Sequence, residues 1–75
     1  MKLTETAIGS IVEIIGMMSM NERVRRRLSD LCIAEGSRVS LQYALPFHGP
    51  CMIESGGQCV AIRRKEAACI EVVPI

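Results

Sequence analysis

Residues 51–63 read Cys-Met-Ile-Glu-Ser-Gly-Gly-Gln-Cys-Val-Ala-Ile-Arg. Two short runs, 51–55 and 58–63, flank Gly56 and Gly57. A two-residue hairpin turn needs φ > 0 at its central positions, and glycine reaches that region without steric cost, so the spacing predicts an antiparallel hairpin. Toward the C-terminus, residues 63–67 read as one helical or 3₁₀ turn, and residues 69–73 as a last strand ending at Pro74. Toward the N-terminus, Pro46, Phe47, His48, Gly49 and Pro50 form a loop, because two prolines lacking N–H donors cannot sit in a central strand. Before it, Val39, Leu41 and Tyr43 alternate with Ser40, Gln42 and Ala44, which predicts a strand with the first three inward. Residues 10–15, β-branched and bounded by Gly9 and Gly16, predict a first strand with Val12 and Ile14 inward.

Between these strands lies the one long helical stretch. Val24, Leu28, Leu31 and Cys32 recur at helical spacing and predict an apolar stripe. Ser19, with Glu22 three residues on, has the form of a capping box. Ala34, Glu35, Gly36 and Ser37 end the element in a turn. The same helix carries Arg23, Arg25, Arg26 and Arg27, four arginines within five residues. Glu22–Arg26 and Arg26–Asp30 have the spacing of ion pairs worth a few tenths of a kcal/mol, which compensates part of this charge. The remaining guanidinium groups suit a carboxylate, a phosphate or a partner's backbone carbonyl, and otherwise form a solvated face.

Composition bounds the classes. Seventy-five residues predict one domain over 1–75. Apolar residues make up 49% of the chain, but Phe47 and Tyr43 are the only aromatics, so the core is aliphatic and base-stacking material is lacking. A formal charge of +1 excludes a globally polyanion-seeking protein, and no nucleic acid partner is expected. The opening residues contain no apolar signal-peptide run, and no segment approaches the roughly 20 apolar residues of a span. A cytoplasmic protein with reduced thiols and no direct membrane insertion is expected. Cys32, Cys51, Cys59 and Cys69 contain no CxxC pair, and Cys59 and Cys69, inside apolar runs, are expected as buried hydrophobes. With one histidine, no Ser/His/Asp set and no GxxxxGK[ST] motif, no enzyme is expected.

Two metal readings arise. Met17, Met18 and Met20 are soft thioethers suited to monovalent copper, although gap-filling in a core is the stronger reading. His48 precedes Cys51 by three positions, a spacing that brings two ligands for ferrous iron or zinc together when the loop curls. No cofactor is firmly expected.

The elements together predict a mainly β architecture: a small antiparallel barrel covered by one helix. Its motifs resemble those of a known family. Arg26, Arg27, Leu28, Asp30, Leu31, Ile33, Gly36 and Val39 resemble the pattern R-R-L-x-D-L-G-I-x-x-G-x-x-V, with Cys32 where the pattern has Gly. Pro46, Gly49 and Pro50 correspond to a loop of two prolines about a glycine. Residues 61–72 resemble A-L-R-x-x-E-A-x-x-I-x-V, with Ile62 for Leu. The chain is similar, over nearly its whole length, to the FeoA family of ferrous iron transport protein A.

The resemblance implies an SH3-like barrel of about five antiparallel strands, with one inserted α-helix and a short helical turn before the last strand. It also implies a cytosolic accessory of FeoB, the membrane GTPase that admits ferrous iron. A similar domain ends iron-dependent repressors, so metal sensing and regulation are the alternative, and a homo-oligomer is compatible with both. The expected partner-binding residues are Arg23, Arg26 and Arg27, with Arg63 and Arg64 extending the basic face. At Cys32, either the helix continues by one residue or the turn is altered.

Overall fold

Gly56 and Gly57 both take positive φ, 58° and 85°, and the hairpin they close stays in register from Ser55↔Gln58 to Cys51↔Ile62. In the computed structural model, which describes residues 1–17, 19–47 and 49–75, this hairpin is one end of a five-stranded antiparallel sheet. The elements are β1 (Ile11–Gly16), α1 (Glu22–Asp30), β2 (Arg38–Ala44), β3 (Cys51–Ser55), β4 (Gln58–Ile62), α2 (Arg64–Ala67) and β5 (Glu71–Pro74). The strand order is β4-β3-β2-β1-β5, with no ladder joining β4 to β5 among the described residues. The architecture is an SH3-like barrel, left open along that seam.

The N-terminal residues, for which the sequence predicts no element, occupy the free side of β5. Lys2 bridges Glu71, the Leu3 amide donates to Ile70 O at 2.9 Å, and the Val72 amide donates to Met1 O at 2.7 Å. A 3₁₀ turn, Leu3–Glu5, follows and buries Leu3 completely. The core is otherwise aliphatic, as composition predicts, and is built around Ile14, Leu28, Ile33, Ile53, Ile62 and Ile70. Met17 and Met20 are buried within it, the gap-filling role, while Met18 lies outside the described residues.

Three side-chain expectations need correction. Val39 and Leu41 face inward, but Tyr43 is 49% exposed. The register shifts between Leu41↔Ile53 and Tyr43↔Met52, so the extra residue reverses the alternation and turns Tyr43 outward. Cys59 is exposed opposite Glu54 on the outer face of the hairpin, whereas Cys69 is half-buried and packs against the core, closer to expectation. Cys32 leaves the apolar stripe and is exposed, whereas Leu28 is buried and Val24 and Leu31 pack against the core.

The helix begins two residues later than a Ser19 cap implies. Asn21 is the N-cap, and its Oδ1 accepts from the Arg23 amide at 2.8 Å. At the other end, the Ile33 amide donates to Leu28 O at 2.8 Å and the Cys32 amide to Ser29 O at 2.9 Å, the paired bonds of a Schellman motif. That motif requires a left-handed residue, and Cys32 supplies it with φ 64°. The helix therefore stops where a glycine would stop it, and the turn is preserved at the expense of a Cβ in a crowded conformation. Ser37 braces the turn, its Oγ donating to Cys32 O at 3.2 Å and accepting from the Ala34 amide at 3.0 Å. Cys32→Gly is expected to stabilise the fold by roughly 0.5–1 kcal/mol, the relief of left-handed strain less the added freedom of the unfolded chain. Thermal unfolding should rise by about 2–8 °C; no rise would mean that the Cys32 side chain makes a compensating contact.

Candidate partner-binding surface

One hydrogen bond and one shared groove relate α1 to β4 and the residues after it. The Gln58 side chain donates to Leu31 O at 2.6 Å, which ties the end of the helix to the start of the strand. At the opposite end, Asn21, Arg23 and Val24 share a groove with Arg63, Lys65, Glu66 and Cys69, which follow β4. With Leu28 turned into the core, the arginines are forced outward, and Arg23, Arg25, Arg26 and Arg27 are all exposed.

None of them is neutralised locally. Among the described residues the ion pairs are those of Glu71 with Lys2 and with the Met1 amino group, both at 3.6 Å. The expected pairs of Arg26 with Glu22 and Asp30 do not form within 4.0 Å. Each would gain only tenths of a kcal/mol on an exposed helix, less than the entropy of fixing two long side chains.

The predicted residues line more than one groove. Arg23 and Arg63 converge on the groove between the start of α1 and α2, joined there by Lys65, which the sequence reading did not single out beyond its place in the Arg63–Arg64–Lys65 run. Arg26, with Arg25, lines a second groove floored by Met17 and Ile33 and also bordered by Glu22 and Glu35. Arg27 is exposed and lines neither. Arg64 is half-buried, and its Nη2 donates to Leu45 O at 3.3 Å while its buried Nε has no partner among the described residues. This contact ties α2 to the β2–β3 loop.

Of the metal candidates, Cys51 is 1% exposed and belongs to the core, and His48 lies outside the described residues. Among the described residues no three His, Cys, Asp or Glu side chains are grouped to hold an ion. No helix among them is long and apolar enough to cross a membrane.

The family model of the FeoA domain matches residues 1–74. The chain belongs to the FeoA family. It is therefore a member of a ferrous iron transport family. Among solved structures it is similar to the FeoA protein of Chlorobium tepidum, with 31% identity and a TM-score of 0.92 over 100% of this chain and 70% of that one. It also superposes on the FeoA of Stenotrophomonas maltophilia, a prokaryotic SH3 domain protein complexed with zinc, with 24% identity and a TM-score of 0.76 over 97% of this chain and 89% of that one. A manganese-dependent transcriptional repressor shares the fold, with 17% identity and a TM-score of 0.87, the FeoA-like chain spanning 41% of its length. No match was found among curated proteins.

Proposed function

We propose that this FeoA-family chain is a cytosolic accessory of ferrous iron uptake that docks on the cytosolic part of a FeoB-type membrane GTPase and modulates it without doing chemistry itself. The observation that carries the reading is the α1 face, where four arginines within five residues have, among the described residues, no carboxylate within ion-pairing distance on an otherwise near-neutral chain. Guanidinium groups left unpaired in the free protein are available to acidic groups of a partner at no cost in broken internal contacts. Arg23 and Arg63 serve together across one groove, while Arg26 and Arg27 extend the surface along the helix.

Arg27→Glu reverses one exposed charge and leaves the core untouched. Capture of the transporter's cytosolic part should weaken about tenfold, which corresponds to ~1.4 kcal/mol, and the difference from the parent should shrink as salt rises. Binding unchanged at every salt concentration would remove the arginine face from the docking surface.

A further inference from the structure

Phe47 is 97% exposed, and its backbone has φ 58°. A bulky side chain enters this left-handed region only under strain, and here the ring gains no burial in return. The loop nevertheless holds it there. The Gly49 amide donates to Pro46 O at 3.1 Å, and the Leu45 amide donates to Pro50 O at 3.0 Å. Gly49 has no space for a side chain, since a Cβ would lie 2.9 Å from Leu45 Cβ and 3.1 Å from Pro46 O. A tightly built turn therefore projects an aromatic ring into solvent, with Tyr43 (49% exposed) and Leu45 (40% exposed) leading up to it from the end of β2.

The flank of this loop is cationic. Arg64 is bonded to Leu45 O, which brings α2 against the loop, and the cleft between them is lined by Pro50, Arg63, Arg64, Lys65 and Ala68, with no carboxylate. A convex apolar tip beside a cleft lined by cations, with Glu66 on the neighbouring groove instead, is complementary to an anionic bilayer surface: the ring enters the boundary between headgroups and acyl chains while the cations meet lipid phosphates. We propose that the β2–β3 loop is an interfacial anchor, with Phe47 seated in the headgroup layer of an anionic bilayer and Arg63 and Lys65 on its phosphates. Arg64 positions those two cations through Leu45. The contact is one side chain deep and crosses nothing.

The test uses the full chain and vesicles of phosphatidylcholine, alone or with an equal part of phosphatidylglycerol. Sedimentation with the mixed vesicles, declining as salt rises, and none with phosphatidylcholine alone is the expected result. Phe47→Asn should weaken that binding about tenfold without loss of thermal stability, because asparagine tolerates the left-handed region. Arg63→Gln and Lys65→Gln should each weaken it about fivefold. The sequence contains no tryptophan, so Phe47→Trp gives a single reporter; its emission should shift to shorter wavelength on the mixed vesicles. No binding at low salt, equal binding by Phe47→Asn, or an emission unmoved by lipid would each overturn the proposal, as would an emission shift seen only with the transporter's cytosolic part. Because Arg27→Glu reads on the protein partner and Phe47→Asn on lipid, failure of either idea leaves the other standing.

Discussion

Leu28→Ala is expected to remove a large share of the stability of the fold. Leu28 is 1% exposed and is the fully buried residue of α1. Its carbonyl also accepts from the Leu31 and Ile33 amides, at 3.0 and 2.8 Å, so the same residue anchors the helix in the core and closes its end. Alanine keeps those backbone bonds and deletes only the side chain. Truncation of a buried leucine costs about 2–5 kcal/mol, and a chain of this length is held by only ~4–11 kcal/mol. Thermal unfolding should therefore fall by roughly 10–30 °C. Arg27→Ala, one position earlier and exposed, should change stability by no more than about 0.5 kcal/mol. A fall of less than about 5 °C for Leu28→Ala would mean that α1 rests on the barrel without completing its core.

This outcome also bears on the arginine face. The four guanidinium groups diverge from one short helix, and nine residues are too few to hold a helix by propensity alone. Their arrangement depends on Leu28, Val24 and Leu31 packing below. A Leu28 variant should thus lose affinity for a protein partner through disorder of the helix, whereas Arg27→Glu loses it with stability nearly unchanged. Comparing the two separates presentation of the charge from the charge itself.

Much of the fold is legible in sequence where a local rule has one physical solution. Gly56-Gly57 admits a tight hairpin with little competition, and Val12 and Ile14 face inward because strand alternation is undisturbed there. Legibility ends where one residue is added or a long-range contact decides. The extra residue after Leu41 sends Tyr43 outward, and nothing in residues 39–44 announces it. Cys32 is instructive in the opposite way. Its Cβ argues against the left-handed turn, but the buried pair Leu28 and Ile33 holds both ends of the motif in the core and imposes it. The candidate surface was legible as an arginine cluster on a helix. Its loss of the expected internal pairs, the commitment of Arg64 to Leu45 and the arrival of Lys65 beside Arg23 all depend on tertiary placement.

Leu3→Ala tests the part of the structure that sequence patterns conceal most fully. Leu3 lies between Lys2 and Thr4, with only Met1 as an apolar neighbour and too short a pattern to mark an element, yet it is completely buried. Its amide donates to Ile70 O, immediately before β5, so both the side chain and the backbone fasten the segment there, while its carbonyl accepts from Thr6 Oγ1 at 2.9 Å within the segment itself. The lost side chain should cost about 2–5 kcal/mol, comparable with Leu28→Ala. Glu71→Gln, which removes only the half-exposed ion pairs to Lys2 and the Met1 amino group, should cost no more than about 1 kcal/mol. Hydrogen exchange distinguishes a local from a global effect. The Val72 amide, bonded to Met1 O, should lose more protection than the overall change in stability explains, whereas the paired Ile53 and Val60 amides should follow the global change alone. If all three changed equally, the N-terminal segment would be an integral part of one cooperative unit; if none changed, it would be a tail that merely lies on β5, and the burial of Leu3 would carry no weight in the fold.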